Sequence, residues 1–514
     1  MPKIKVHEKA LAHLSRGLYR SPASAIRELI SNAWDANATS VAINTNHPLF
    51  YQLSVSDNGD GFTKEEFTRM MSGGIGNSNK REEGRSPKFG RPLIGRLGIG
   101  MLGIAQICGS FTVTSRPKKG TGFCANVHLH DQLKERLDKK GSELVNETDL
   151  ENEKLKTVDV GEYNFVSTFD PSSIEYGTTI SSDDVNPIFT RSFKKTLEET
   201  PSRPLHWSDA LKIIGEKNSL QELGDYWRLL WELAAACPIP YLAATSVPKG
   251  LVKDDQARLE SYKFKVTVDG VQLFKPVSLR GNKAGYTTRN IEQFTKQVYG
   301  NKLSFHGYIV VQEGSQLKPD ELRGIMIRLK NVAVGYYDQT MLDYRFNQGP
   351  RSRWLTGEIY VDDGLEDALN IDRDSFNRFH PEYKVIQEHI HQILKDEIFP
   401  EVYRNIDARS AEKAIDRTRL REEELSNVLA QFLDKRVNVS YMPEMDTEEM
   451  PGEVAIVDKG SLVRIRVPNP NSLRIKKSNR QLASAVLAIY EIARQSRDKR
   501  NSFPDLLLQL LKKW

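Results

Sequence analysis

SPASAIRELISNAWDANA, residues 21–38, carries two patterns at once. Ser21 stands where a helix cap belongs, its hydroxyl free to accept a first-turn N–H, and Pro22 takes the first helical position, where a missing N–H costs nothing. Ile26, Leu29, Ile30 and Ala33 recur at helical spacing and make one apolar stripe. Glu28, Asn32 and Asp35 fall on the opposite side, within about 60° of one another at about 100° per residue. A carboxylate and an amide therefore share one patch. On an isolated helix that patch is an ordinary solvated face, so its meaning rests on the residues downstream.

Residues 51–62, YQLSVSDNGDGF, alternate like a half-buried strand, end at Asp57 and turn through Asn58, Gly59, Asp60 and Gly61. A carboxylate at a strand end can accept a hydrogen bond from a ligand donor such as an exocyclic amine, and the two glycines let a ligand approach the backbone. Residues 91–103, RPLIGRLGIGMLG, place Gly95, Gly98 and Gly100 in a G-x-x-G-x-G spacing ahead of a helical MLGIAQICG. A glycine-rich turn feeding a helix N-terminus offers free N–H groups to an anion, and Arg96 stands among them. EYGTTISSDDV, residues 175–185, sets Thr178 and Thr179 behind a glycine at a strand start. No G-x-x-x-x-G-K-S/T string surrounds these glycines, which argues against a P-loop enzyme.

Taken in order, E-L-I-S-N-A-W-D-A, D-N-G-D-G, G-R-L-G-I-G and G-T-T-I resemble the motifs of the GHKL, or Bergerat-fold, ATPases: gyrase B, the heat-shock 90 chaperones, histidine kinases and MutL. The resemblance covers roughly residues 5–190 and implies an α/β sandwich that binds ATP and Mg2+. It implies that Glu28 is the general base that orients water, that Asn32 is the Mg2+ ligand, and that Asp57 receives the adenine amino group with help from Thr178. Asp35, Gly59, Gly61, Gly95, Arg96, Gly98 and Gly100 join the nucleotide contacts, and residues 62–97 become a lid. Lys80 within it is either a γ-phosphate contact or a lid-surface lysine. The chemistry agrees, because Mg2+ keeps several waters and needs few protein oxygens, and phosphoryl transfer needs mainly positioning and charge neutralisation.

Further along, GIMIRLKNVAVGYYDQTMLDYRF (324–346) and the string LNIDRDSF (369–376) resemble the middle domain of the heat-shock 90 chaperones. That likeness implies that Arg373 reaches the γ-phosphate from a second domain, although Asp372 and Asp374 flank it where the family has Ser and Glu. MutL and gyrase use a lysine in this region, and the loop has no matching one. The expected architecture is α/β throughout: a Bergerat-fold α/β sandwich (1–195), a helical linker (196–250), a second α/β middle domain (251–405) and a small mixed α+β C-terminal region with a short β hairpin (406–514).

Composition sets the outer limits. The 514 residues carry 73 Lys and Arg against 68 Asp and Glu, and a net charge of +5 names no partner. Cys108, Cys124 and Cys237 suit neither a disulfide framework nor a zinc site. No apolar run is long enough to cross a bilayer or act as a secretory signal, so no membrane partner and a cytoplasmic location are expected. The leading expectation is an ATPase whose nucleotide-gated domain docking remodels a protein client or partner subunit, with a homodimer compatible. The alternative is a DNA-associated ATP clamp of the MutL or MORC kind in a genome-defence system, with nucleic acid as partner.

Overall fold

The computed structural model describes residues 2–7, 21–74, 89–94, 104, 107–129, 157–169, 176–199, 206–242, 250–277, 279, 285–345, 352–370, 374–433, 436–441, 455–458, 462–467, 483, 486–490 and 494. The chain divides into two compact units, 1–402 and 403–514.

In the first unit, β1 (Lys3–His7), α1 (Pro22–Asp35), β2 (Ser40–Asn44), β3 (Leu53–Asp57) and α2 (Lys64–Arg69) precede β4 (Ser110–Arg116), β5 (Gly122–Leu129), β6 (Thr157–Phe169) and β7 (Gly177–Ser182). Helices α3 (Pro187–Glu199), α4 (Trp207–Glu216), α5 (Asp225–Ala236) and α6 (Lys253–Ser261) lead to β8 (Lys265–Val268) and β9 (Val271–Gln272). All nine strands form one sheet of order β1-β6-β5-β4-β7-β3-β2-β8-β9. A second sheet, of order β10-β11-β14-β12-β13, comprises β10 (Tyr286–Val298), β11 (Asn301–Gln312), β12 (Gly324–Leu329), β13 (Val332–Asp338) and β14 (Leu355–Asp363), and α7 (Pro381–Ile393) comes after it.

The α/β class matches the sequence expectation, but the expected division near 250 does not fall at a sheet edge. β8 pairs in parallel with β2, Val41 opposite Val266, so residues assigned to the second domain extend the first sheet. The 196–250 stretch is more than a linker: Trp227 and Trp231 of α5 are buried in the same core as Ile26 and Leu29 of α1, and that core continues to Tyr308 and Met326 of the second sheet.

A polar centre lies within the second sheet. Arg328 and Glu358 are fully buried and joined by two 2.8 Å hydrogen bonds, while the hydroxyls of Tyr241 and Tyr337 donate to Glu358 at 2.6 and 2.7 Å. Burial alone would raise the Glu358 carboxyl, but the charges of Arg328 and Lys275 outweigh it and hold the group well below the usual range. Tyr241 belongs to the segment after α5, so this carboxylate ties that segment to the sheet.

A second clamp joins α6 to β11 and β14. The His306 ring lies 2.9 Å from Asp255 and 3.4 Å from Asp362. Burial opposes its charge, yet the two carboxylates outweigh burial and raise the imidazole to about 9. Because the folded value lies above the unfolded one, this contribution is complete below the ordinary histidine range and is lost as pH rises through about 9. Thermal melts across that range should fall more steeply for the wild type than for His306→Gln, and parallel curves would remove the clamp's role.

Helix α8 (Phe399–Leu433) lies in the second unit from Tyr403 onward, and Leu425 and Leu429 on it are buried. β15 (Arg436–Tyr441), β16 (Ala455–Asp458) and β17 (Leu462–Val467) form a three-stranded sheet of order β15-β17-β16. The expected hairpin is β16–β17, and β15 adds to it in parallel, held to the helix where Ser426 Oγ accepts the Val439 N–H at 2.9 Å. No described helix is long and apolar enough to cross a membrane, and none of the three cysteines is in a disulfide.

Candidate nucleotide site

Helix α1 begins as its sequence dictates: Ser21 Oγ accepts the Ser24 N–H at 3.3 Å and Pro22 takes the first turn. The apolar stripe of Ile26, Leu29, Ile30 and Ala33 is buried. The polar side is covered as well, which no helical pattern announces. Glu28 and Asp35 are buried and Asn32 is half-buried. Glu28 lines a cleft with Arg27 and Ser31 of its own helix, Leu93 and Ile94 from the segment before the glycine loop, Lys330 from the turn after β12 and Glu366 from the short 3-10 turn after β14.

Each wall of this cleft has an anchor. Asp35 accepts the Ile94 N–H at 2.8 Å and the Trp34 indole donates to Pro92 O at 2.9 Å, so the C-terminal end of α1 fixes the base of the expected lid. Arg91 is fully buried, donates to Ala38 O at 2.6 Å and also to Tyr262 O, and lies against the Trp34 ring. Across the cleft, the two-residue turn between β12 and β13 holds Lys330 and Asn331 at φ 52° and 73°. The Lys330 ammonium lies 3.0 Å from Glu366. Arg27, next to Glu28, forms a buried 2.7 Å ion pair with Asp374.

Asp57 closes β3 where the strand expectation put it. Its Oδ1 accepts the Gly59 N–H at 2.7 Å. Burial raises its carboxyl to about 6 against the opposing hydrogen bonds from the Gly59 and Thr178 amides. Gly177, at φ 142°, crosses directly beneath it, and a Cβ there would come within 2.0 Å of Asp57 O. Only glycine fits that crossing. Asn58 and Asp60 are used locally: Asn58 Oδ1 accepts from the Thr39 and Ser40 amides at 2.8 Å, and Asp60 accepts from Asn37 at 2.6 Å.

Residues 19–160 match the family model of histidine kinase-, DNA gyrase B- and HSP90-like ATPases. This part of the chain is a GHKL ATPase domain. Two curated proteins share shorter stretches with the chain. A putative type II restriction enzyme, HgiDII, from Herpetosiphon aurantiacus is 40% identical over 98 residues, 19% of this chain and 15% of that protein. The DNA mismatch repair protein MutL of Colwellia psychrerythraea is 45% identical over 51 residues, 10% of this chain and 8% of that protein. The chain thus covers only a small part of either relative.

Within the GHKL domain, Glu28 and Asn32 share one side of α1, and Asp57 meets the backbone of Thr178 at the β3–β7 pairing. Gly59 packs under Ala36 and Gly61 against Arg116. Asp35, expected among the nucleotide contacts, gives Oδ1 to the lid base. Asp374, one of the two carboxylates that flank Arg373 in the sequence, is paired with Arg27. Lys80, Gly95, Arg96, Gly98, Gly100 and Arg373 lie outside the described residues. Lys330, Arg91 and Gly177 carry roles that no motif assigned. An Asn in a two-residue turn signals the β12–β13 hairpin, but nothing local says that the tip faces Glu28.

Proposed function

We propose that this cleft binds ATP with Mg2+ and hydrolyses it, and that the second sheet takes part through Lys330. The observation that carries the proposal is that Glu28 of the GHKL domain and the Lys330–Glu366 pair, from the turns after β12 and β14, line one cleft. Glu28 would orient the attacking water and Asp57 would take the adenine amine. Among the described residues no group of three metal-ligating side chains stands together. That fits an ion arriving with the nucleotide and held by the Asn32 amide oxygen and phosphates, and Mg2+ would neutralise their charge. Lys330, at the tip of a hairpin, would swing from Glu366 to a phosphate, which makes turnover depend on the seating of the second sheet.

The names of the two relatives speak of restriction and mismatch repair, which supports DNA-linked work over client remodelling as the output of this switch. One experiment addresses both points. ATP hydrolysis by the full chain is followed with and without duplex DNA over a salt series, for the wild type, Lys330→Arg and Lys330→Ala. Lys330→Ala should lower kcat about a hundredfold with a smaller change in KM, with Lys330→Arg recovering part of it. Stimulation by DNA that fades with salt supports the DNA reading; an equal rate for Lys330→Ala removes Lys330 from the mechanism.

A further inference from the structure

We infer that the tip of the β10–β11 hairpin and the loop before α7 form a surface for single-stranded nucleic acid, with Tyr299 and Phe379 as its stacking platforms. Val298 pairs with Asn301, which leaves Tyr299 and Gly300 as a two-residue turn with φ 47° and 90°. The first position of such a turn suits Asn or Asp, whose short polar side chains tolerate the left-handed backbone. The β8–β9 turn obeys that rule with Asp269 and Gly270, and buried Asp269 also accepts hydrogen bonds from Thr45 and Tyr226. Tyr299 has neither advantage: its backbone is left-handed and its side chain is 88% exposed, as is that of Phe379. Neither packing nor turn geometry selects an aromatic there, and side chains that break local rules without a gain to the fold mark a task outside it.

The two segments that carry them are joined by a hydrogen bond. Asn301, two residues past Tyr299, donates to Glu382 at 3.2 Å, three residues past Phe379. The stretches TKQVYGNK (295–302) and NRFHP (377–381) contain no acidic residue. Lys296 and Lys302 are exposed, and the Lys384 ammonium lies 6.0 Å from the centre of the Phe379 ring. Arg378 is engaged by Asp343, and exposed Asp363 sits opposite Ser304 on the adjoining strand. Exposed flat rings, one with a lysine beside it, fit unpaired bases, which stack on aromatics while their phosphates meet the cations. Duplex bases are already stacked on each other. None of these residues lines the nucleotide cleft, and base stacking here does not depend on whether that cleft hydrolyses ATP.

The test measures the fluorescence anisotropy of a labelled oligothymidine titrated with the full chain over a salt series. Wild-type binding should weaken as salt rises, and an unlabelled duplex should compete poorly. Tyr299→Asn gives the turn its preferred Asn-Gly pair, so it should melt no lower than the wild type while binding about tenfold more weakly, and Phe379→Ala should bind more weakly by a similar factor. Wild-type affinity in both variants overturns the inference. So does a wild-type chain that leaves the oligonucleotide free, a result that would assign the two rings to a protein partner.

Discussion

Glu28→Ala should bind ATP within a few-fold of the wild type and hydrolyse it about a hundredfold to ten-thousandfold more slowly. A positioned base contributes a factor of that order, because it removes a proton from, and aligns, the attacking water without contributing much to ground-state binding. The position suits the role. Glu28 is buried in the cleft, one helical turn before Asn32, and the adjacent Arg27 pairs with Asp374 at 2.7 Å. Calorimetric titration separates binding from turnover, and Glu28→Gln, which preserves shape, should behave like Glu28→Ala. Hydrolysis at the wild-type rate in either variant would falsify the assignment.

Glu358→Ala should destabilise the first unit by about 3–5 kcal/mol, the usual cost of leaving a buried charge without its partner. Arg328 is fully buried and has its Nε and Nη2 on this carboxylate. The hydroxyls of Tyr241, Tyr337 and Tyr360 also lose their acceptor. Replacing Arg328 and Glu358 together with Met and Leu should recover most of the loss, since the pair's attraction largely offsets its own desolvation. Urea unfolding monitored on the transition of the first unit reads both variants. A Glu358→Ala midpoint equal to the wild type would mean that water reaches this centre.

The site is partly legible in the chain itself. The cap at Ser21, the stripe from Ile26 to Ala33 and the strand ending at Asp57 depend on residues near one another in the chain, and each stands where its pattern put it. The polar side of α1 is harder. Seen alone it is a solvated face, and its burial depends on Ile94, Lys330 and Glu366, which approach from distant parts of the chain. Asp35 shows the same limit: its spacing groups it with Glu28 and Asn32, but the amide that takes its oxygen is Ile94, fifty-nine positions away.

Sequence alone determined the periodicities, the caps and the order of motifs, and through them the GHKL family of residues 19–160. Tertiary structure alone decided that β8 joins the first sheet beside β2, that the Lys330 hairpin faces Glu28, and that Tyr299 stands exposed on a turn that favours Asn. The physical reason is shared. Helical stripes and strand alternation arise from dihedrals repeated along the chain, whereas a parallel pairing or a cleft wall needs partners brought together by a long crossover. No local pattern encodes which partner arrives.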